Sequence, residues 1–196
     1  FARVGLDVVG VDPSAVMLEA ARARTAGVGA VVLRATGEAL PFHDEVFSGC
    51  RIERVLIHVG DPAVVLAEAL RCIEPGGLIT VFEPDWSAFT VRSEIVPGRT
   101  TWLTSLKHPG IGARLWDLLE SLGCDVLDRV EELSVWRSLQ RLERVTGVPA
   151  AVDGAVAAGR IDRSDAERWI DEQRQRDAEG QFYALMPKIQ VIATKR

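Results

Sequence analysis

The sequence predicts an α/β fold built on a doubly wound, mostly parallel sheet. Short apolar runs rich in β-branched residues alternate with helical patterns over roughly the first 135 residues. Such alternation is typical of a parallel sheet with helices on both faces. A mostly helical stretch from Gln140 to Ala184 then separates this region from a final apolar run, KIQVIATKR. We therefore expect one α/β domain that carries a helical appendage.

The first elements are read from apolar runs and from Pro13. Leu6 to Val11 is a short β-branched run and is predicted to be a strand. Pro13 suits the first turn of a helix, in which Val16 and Met17 fall at helical spacing. A second strand is expected from Ala30 to Leu33.

The next strand–helix–strand unit has clearer boundaries. Cys50 to Val55 is a weaker strand candidate because charged residues interrupt it. Asp61 and Pro62 suit the N-cap and first position of the following helix. The run EPGG is expected to end that helix, and LITVFEP is the clearest strand in the sequence.

The second half contains the predicted insertion. Ile111 to Leu122 has the leucine spacing of an amphipathic helix, and Asp125 to Glu132 follows as a candidate strand. Asp162 or Ser164 can cap a helix that continues through Trp169.

Composition excludes several function classes. The net charge is −5 and the pI is about 5.3, so nucleic acid is not an expected partner. No apolar run approaches the ~18 residues of a membrane span, and no signal peptide is visible. Cys50, Cys72 and Cys124 lack the close spacing of a zinc site, so we interpret them as core residues of a cytoplasmic protein.

Asp12 is the first candidate functional residue. It follows the first predicted strand, and ligands of doubly wound sheets bind at the carboxyl ends of strands. A carboxylate offers two acceptor oxygens, which suit the two hydroxyls of a ribose. The alternative is that Asp12 only caps the next helix.

Three further motifs follow Asp12: ATGEALPF, FSGCRIERVLIHV and RCIEPGGLITVFEPDW. In this order they resemble the class I S-adenosylmethionine-dependent methyltransferases, in particular the small-molecule branch that includes the ubiquinone and menaquinone C-methylases. The resemblance runs from about Gly5 to Trp86 and returns at the C-terminal strand. It implies a Rossmann-like sheet of seven strands, parallel except for the last, which would be Lys188 to Lys195.

The resemblance assigns cofactor contacts to three short segments. It places Asp12 on the ribose hydroxyls, with Pro13 and Met17 near the nucleoside. The segment 36–38 would lie beside the adenine, and the segment 51–53 near the methionine end of the cofactor. The implied cofactor-binding residues are Asp12, Pro13, Met17, Thr36, Gly37, Glu38, Arg51, Ile52 and Glu53. The family often has Asp at the position of Thr36 and in place of Ser48, so both are departures. For Met17 and Ile52, a plain core position is the open alternative.

His58 is the candidate catalytic residue because histidine exchanges a proton near neutral pH. The same position is often structural in the family, so a structural or substrate-lining role stays open. Glu83 and Trp86 end the fifth family strand and can border the pocket, whereas Asp85 can be a turn residue only.

The insertion before the last strand supplies further candidates. Trp86, Trp169 and Tyr183 are the predicted substrate-lining aromatics, because amphipathic rings suit an apolar small molecule. Either the insertion is a lid that touches substrate, or it is a packed appendage with Trp169 in its core. We divide the chain into a cofactor-binding domain, residues 1–135 plus 186–196, and a helical insertion, residues 136–185.

One family feature is missing from the sequence. The first strand and its glycine-rich turn should precede Asp12, yet the eleven residues before it contain no GxGxG. A parallel sheet without its middle strand would bury unpaired backbone groups. We therefore expect this strand and turn to be omitted from the chain rather than lost from the protein.

The sequence as a whole predicts an enzyme that moves the methyl group of S-adenosylmethionine to a small, apolar acceptor. No metal, nucleic acid or membrane is expected, and a homodimer is left open. One alternative is a non-enzymatic, methyltransferase-like partner subunit. The other is a nicotinamide-dependent dehydrogenase, which would also use an acid after its second strand.

Overall fold

The computed structural model describes residues 5–96, 100–103 and 105–196. Helices are interspersed among the first six strands, although two pairs of strands follow one another without a helix between them, and three helices precede the last strand. The strands are β1 Val9–Val11, β2 Val31–Leu33, β3 Phe47–Glu53, β4 Ile73–Pro84, β5 Thr90–Val91, β6 Cys124–Trp136 and β7 Ala184–Lys195. The helices are α1 Ala15–Thr25, α2 Pro62–Cys72, α3 Leu115–Ser121, α4 Leu139–Thr146, α5 Val148–Ala157 and α6 Arg163–Ala178.

The strands form two sheets. β1 and β2 pair in parallel as a two-stranded sheet. β3 pairs in parallel with β4, and β4 pairs with β7, which carries β6 on its other edge. The described strands form two sheets rather than one, because no described strand pairs with both β1 and β3 to join them.

The last strand runs against its neighbours, as predicted. β7 is antiparallel to β4, with Val81 opposite Val191, and antiparallel to β6, with Arg129 opposite Val191. β3 and β4 are parallel to each other, so the Rossmann-like arrangement with an antiparallel last strand is confirmed.

Helices α2 and α3 cover one face of the larger sheet. Alternate residues of a strand point to the same face, and here that face is apolar. α2 begins as predicted, with Asp61 as N-cap accepting a hydrogen bond from the Ala63 N–H and with Pro62 in its first turn. The core between sheet and helices includes Ile52, Leu66, Leu70, Ile79, Val81, Leu115, Leu119, Ile189 and Val191.

Helices α4 to α6 form a second core with the opposite end of β7. This end carries Ala184 and Met186, which are buried together with Phe89 and with Val91 of β5. The helices contribute Leu142, Val148, Val152, Ala166 and Trp169. They occupy most of the predicted insertion, and they pack on the strands rather than standing apart from them.

Helix α1 differs from its prediction. It begins after Ser14, whose hydroxyl accepts a hydrogen bond from the Met17 N–H, so Pro13 precedes the helix instead of opening it. Leu18 is its one buried residue, whereas Val16 and Met17 are 73% and 49% exposed. Met17 is therefore not a core residue, because α1 has only the small β1–β2 sheet to pack against among the described residues.

Four strands, β3, β4, β6 and β7, are longer than predicted. β3 begins at Phe47 and β6 continues to Trp136, because each follows a long neighbouring strand. The EPGG run lies inside β4, where Gly76 takes φ 78°, a conformation that glycine adopts without strain. Helix α2 consequently ends at Cys72, before this run.

Within the described ranges, the structure contains no helix whose length and apolar character would let it cross a bilayer.

Candidate active site at the carboxyl ends of the strands

Asp12 lies directly after β1 and is half-buried. Its Oδ1 accepts a hydrogen bond of 2.7 Å from the Ser14 N–H, so the carboxylate caps the approach to α1. Among the described residues, Oδ2 has no hydrogen-bond partner. One oxygen thus fixes the side chain, while the other remains able to accept a bond from a ligand. The two alternatives for Asp12, helix capping and ligand binding, are compatible.

The segment that carries Thr36, Gly37 and Glu38 is docked on α2. Thr36 and Ala39 form an isolated bridge, and Thr36 and Glu38 are exposed. A Cβ at Gly37 would lie 2.9 Å from Val65 Cγ1, so this close approach requires glycine unless Val65 shifts. The backbone of this turn is therefore held against the helix.

An ionic cluster fastens the rest of the same loop. Glu68 accepts a hydrogen bond from the Leu40 N–H, and Arg71 donates to Glu68, Asp44 and the Phe42 carbonyl. The Arg71 guanidinium lowers the pKa of Glu68 to about 2, the Leu40 N–H adding to this effect. Glu68 is therefore ionised throughout the physiological range and holds the loop at its place.

The side chains of the three predicted cofactor-binding residues at the end of β3 point to opposite faces of the sheet. Arg51 and Glu53 form an exposed ion pair of 2.7 Å on one face. Ile52 points to the other face, is 7% exposed and belongs to the core. Its side chain therefore packs against the helices, as the plain alternative predicted.

A fully buried carboxyl group holds the loop after β3. Glu83 of β4 is 0% exposed, and its Oε1 accepts hydrogen bonds from the Val55 N–H at 2.9 Å and the Leu56 N–H at 2.7 Å. Its Oε2 is buried without a partner among the described residues. Burial raises the pKa of Glu83 to about 7, although the two N–H groups act in the opposite direction. The sequence suggested that Glu83 borders a pocket. It does not line the cavity described below, but it anchors the loop that leads to that cavity.

His58 lies in this loop with an exposed side chain. Its backbone N–H donates to the Val55 carbonyl, which closes a turn. A second histidine, His108, places Nε2 3.2 Å from the Gly60 carbonyl oxygen. The backbone N–H groups of Lys107 and His108 both donate to the Ile57 carbonyl. The loop is thus tied at one end to Glu83 and at the other to residues 107–108.

A cavity of about 300 Å³ opens between this loop and α3. Apolar side chains and three polar ones share its wall. The lining residues are Gly60, Asp61, Pro62, Ala63, His108, Ile111, Arg114 and Leu118. This volume is at the lower end of the range for small-molecule sites.

The three predicted substrate-lining aromatics lie elsewhere. Trp169 is fully buried and packs edge-on against Trp102, with ring centroids 5.2 Å apart. Trp86 is half-buried between the two cores, and Tyr183 lies under the guanidinium of Arg137. Asp85 accepts hydrogen bonds from the Ser87 N–H and hydroxyl, as a turn residue does.

Residues 1–81 match the sequence model of a family described as the methyltransferase domain. A demethylmenaquinone methyltransferase of Renibacterium salmoninarum is 40% identical over 83 residues, which are 42% of this chain and 34% of that protein.

The first 81 residues of this chain therefore match the methyltransferase domain family.

A longer relative and a solved structure extend the likeness beyond residue 81. An uncharacterized 37.1 kDa protein in transposon TN4556 of Streptomyces fradiae is 34% identical over 192 residues, which are 95% of this chain and 54% of that protein. The structure of a candidate methyltransferase from Bacillus halodurans has a TM-score of 0.64 at 16% identity and covers 97% of this chain and 83% of its own. The likeness in fold therefore includes the helices before β7, and the chain spans about half of its first curated relative.

Local sequence patterns do not indicate several residues of this site. His108 and Arg114 lie in a stretch without a motif, and their position beside the cavity depends on the packing of α3. The link from Arg71 to the loop 40–44 joins segments about thirty residues apart. The anchoring role of Glu83 was also missed, although an acid within an apolar strand is a signal that could have suggested it.

The donor set of this site fits the nucleoside part of S-adenosylmethionine. Asp12 offers a carboxylate oxygen at the end of β1, and the turn at Thr36 offers a hydroxyl and backbone groups. Within the described ranges, no three His, Cys, Asp or Glu side chains group to hold a metal ion.

Proposed function

We propose that this domain transfers a methyl group from S-adenosylmethionine to a small, apolar acceptor. The observation that carries the proposal is the carboxylate of Asp12, which is fixed through Oδ1 and has Oδ2 without a hydrogen-bond partner among the described residues. A half-buried acid of this kind at the carboxyl end of a strand is suited to a ribose diol.

In this proposal the chain holds the cofactor through segments at the ends of three strands. The segments comprise Asp12, Pro13 and Met17, then Thr36, Gly37 and Glu38, and finally Arg51, Ile52 and Glu53. When bound, S-adenosylmethionine supplies a methyl group on a positively charged sulfur that is already reactive. The work of the protein is therefore to position the two partners and to exclude water.

The loop 36–44, which is held on α2, supports a positioning role for the protein. Its turn needs no cofactor to be ordered, because Val65, Glu68 and Arg71 already hold it on α2. A loop that is ordered before binding loses little conformational entropy when the ligand arrives.

The acceptor is proposed to bind beside the loop 54–60, near the cavity that His108 and Arg114 line. The cavity volume suits a small molecule, and Ile111 and Leu118 supply apolar wall. His58 is an exposed residue of the same loop and remains the candidate proton acceptor. Trp86, Trp169 and Tyr183 remain predictions as substrate-lining residues.

We also propose a cytoplasmic location. Cys50, Cys72 and Cys124 are free thiols, which suits a reducing compartment. Burial raises the pKa of the Cys50 thiol to about 11, so it is an inert core group at neutral pH.

The test is calorimetric titration of the full-length protein with S-adenosylhomocysteine. We expect binding by the wild type and a loss of affinity of ~10-fold or more in Asp12→Ala, because a charge-assisted pair of hydrogen bonds disappears. Asp7→Ala is the matched control, since Asp7 is an exposed acid before the same strand and should leave the affinity unchanged.

Two results would contradict the proposal. If the folded full-length protein does not bind S-adenosylhomocysteine, the non-enzymatic partner subunit becomes the better account. If the ligand binds but Asp12→Ala and Asp7→Ala behave alike, Asp12 is only a helix cap. Given binding, transfer of the labelled methyl group from S-adenosylmethionine to a panel of apolar and polar small molecules tests the acceptor class.

A further inference from the structure

Glu83 is a buried carboxyl group for which the proposed reaction has no direct use. It is 0% exposed, and its neighbours offer little compensation for a charge. The apolar Ile189 of β7 lies directly opposite Glu83. Gly112 packs closely against the same strand, since a Cβ at this position would lie 3.3 Å from the Glu83 carbonyl oxygen. The charged groups that act on it are Arg54, which lowers its pKa, and Glu53, which raises it.

The contacts of Glu83 are concentrated on one short loop, Arg54–Gly60. Its Oε1 accepts both the Val55 and the Leu56 N–H, and the Arg54 N–H donates to the neighbouring Phe82 carbonyl. Three consecutive backbone donors of the loop are thus satisfied by the end of β4. Arg54 itself takes φ 55°, a left-handed conformation that costs free energy in a non-glycine residue and so needs support from its surroundings.

We propose that Glu83 is the positioning residue of the loop Arg54–Gly60, so that its carboxyl group fixes the wall between the end of β3 and the cavity. The loop begins next to Arg51 and Glu53 and ends at Gly60, whose carbonyl meets His108. Glu83 therefore acts on ligands only through the backbone that it holds. Its effect on ligand affinity rests on the proposed function, whereas its effect on the loop does not.

Ionisation of Glu83 is expected to loosen the loop. Opening the loop would admit water to the carboxyl group and return its pKa toward the ordinary value of 4.5, from about 7 when it is closed. The closed loop then binds the proton more tightly than the open loop, so opening becomes easier as the pH rises through about 7. In Glu83→Gln the amide oxygen can still accept both N–H bonds, and this pH dependence disappears.

The experiment measures amide hydrogen exchange at Val55 and Leu56 by NMR in the full-length protein. In Glu83→Ala we expect protection factors at these two amides to fall by ~10-fold or more, because buried donors lose their acceptor. Glu83→Gln should keep the protection within about threefold and should remove the dependence of the protection factor on pH between 6 and 8, as expected when the titrating group is gone. Glu74→Gln, an exposed acid on the same strand, is the matched control and should behave as the wild type.

Affinity for S-adenosylhomocysteine supplies a second readout. Glu83→Ala should weaken it and Glu83→Gln should restore it, a rescue that a general loss of stability would not show. Unchanged protection of Val55 and Leu56 in a folded Glu83→Ala protein would overturn the proposal, as would equal loss of protection in Glu83→Gln. If the wild type binds no S-adenosylhomocysteine, the proposed function fails, and amide exchange alone still decides the role of Glu83.

Discussion

Trp169 of α6 packs edge-on against Trp102, with ring centroids 5.2 Å apart and ring planes at 89°. The pair joins the helices before β7 to the short 3₁₀ turn Thr101–Leu103. Arg160 adds a second link, because its Nε donates to the Trp102 carbonyl. The helical segment is thereby fastened to the second core, as expected for a packed appendage with Trp169 in its core.

Removing the indole ring of Trp169 should test this conclusion. We expect Trp169→Ala to lower the free energy of unfolding by about 3–5 kcal/mol, because it leaves a cavity in a fully buried site. Trp169→Phe should cost less, since it keeps an aromatic ring in place. Urea unfolding measures both, and Val145→Ala, at a position 65% exposed, should stay within about 0.5 kcal/mol of the wild type. A small effect of Trp169→Ala would instead indicate a loosely packed lid.

A polar clamp fastens the segment after β5 to the same helix. Glu172 accepts hydrogen bonds from the Ser93 hydroxyl at 2.5 Å and from the Glu94 N–H at 2.8 Å. Arg176 donates to Glu172 and lies 3.1 Å from Glu94. These hydrogen bonds, together with the attraction of Arg176, keep the pKa of Glu172 below its ordinary value despite its burial.

Breaking the clamp should destabilise the fold through the buried guanidinium. Glu172→Ala leaves the buried Arg176 guanidinium paired with the exposed Glu94, and we expect a loss of about 1–3 kcal/mol in urea unfolding. Asp171→Ala is the control, because the adjacent ion pair of Asp171 with Arg174 is exposed and worth at most about 1 kcal/mol. Equal losses in the two variants would show that the clamp contributes no more than a surface pair.

Capping of α2 gives a more local prediction. Asp61 accepts a hydrogen bond of 2.8 Å from the Ala63 N–H and also borders the cavity. Asp61→Ala should lower the free energy of unfolding by about 1 kcal/mol, whereas Asp61→Asn should retain most of the cap. Comparable losses in both variants would point to the charge at the cavity, not the cap, as the stabilising feature.

The parts of the fold that could be predicted from sequence depend on local signals. Pro62 after Asp61 marked the start of α2, and the β-branched run around Val81 marked β4. Strand ends were less accurate, because the length of β6 is set by pairing along the whole of β7. Such pairing joins residues far apart in the chain and leaves no pattern in the strand itself.

In the candidate site, too, residues marked by a local pattern could be predicted and residues placed by long-range packing could not. Asp12 could be identified because a strand, an acid and a capping residue follow one another. Nothing local distinguishes Met17, which is exposed, from Ile52, which is core. His108 could not be placed beside the loop after β3 either, since its contact with Gly60 depends on how residues 105–111 return to the sheet.

The last prediction concerns the pH dependence of stability, which Glu83 should dominate above pH 5. Its pKa in the folded protein is about 7 against an ordinary value of 4.5, so the folded state binds this proton more tightly than the unfolded chain. The stabilisation from this proton is complete below pH 4.5 and is lost as the pH rises through about 7. One such proton changes the free energy of unfolding by up to about 1.4 kcal/mol per pH unit, on the order of 3 kcal/mol over the whole interval.

Comparison with Glu83→Gln isolates this contribution. The variant cannot titrate at this position, so its free energy of unfolding should fall less between pH 5 and 8 than that of the wild type. Glu68 does not interfere in this range, because its lowered pKa makes its stabilisation disappear only as the pH falls below its ordinary value of 4.5 toward about 2. Urea unfolding at half-unit pH steps measures the difference, and parallel curves for the two proteins would mean that Glu83 is ionised throughout this interval.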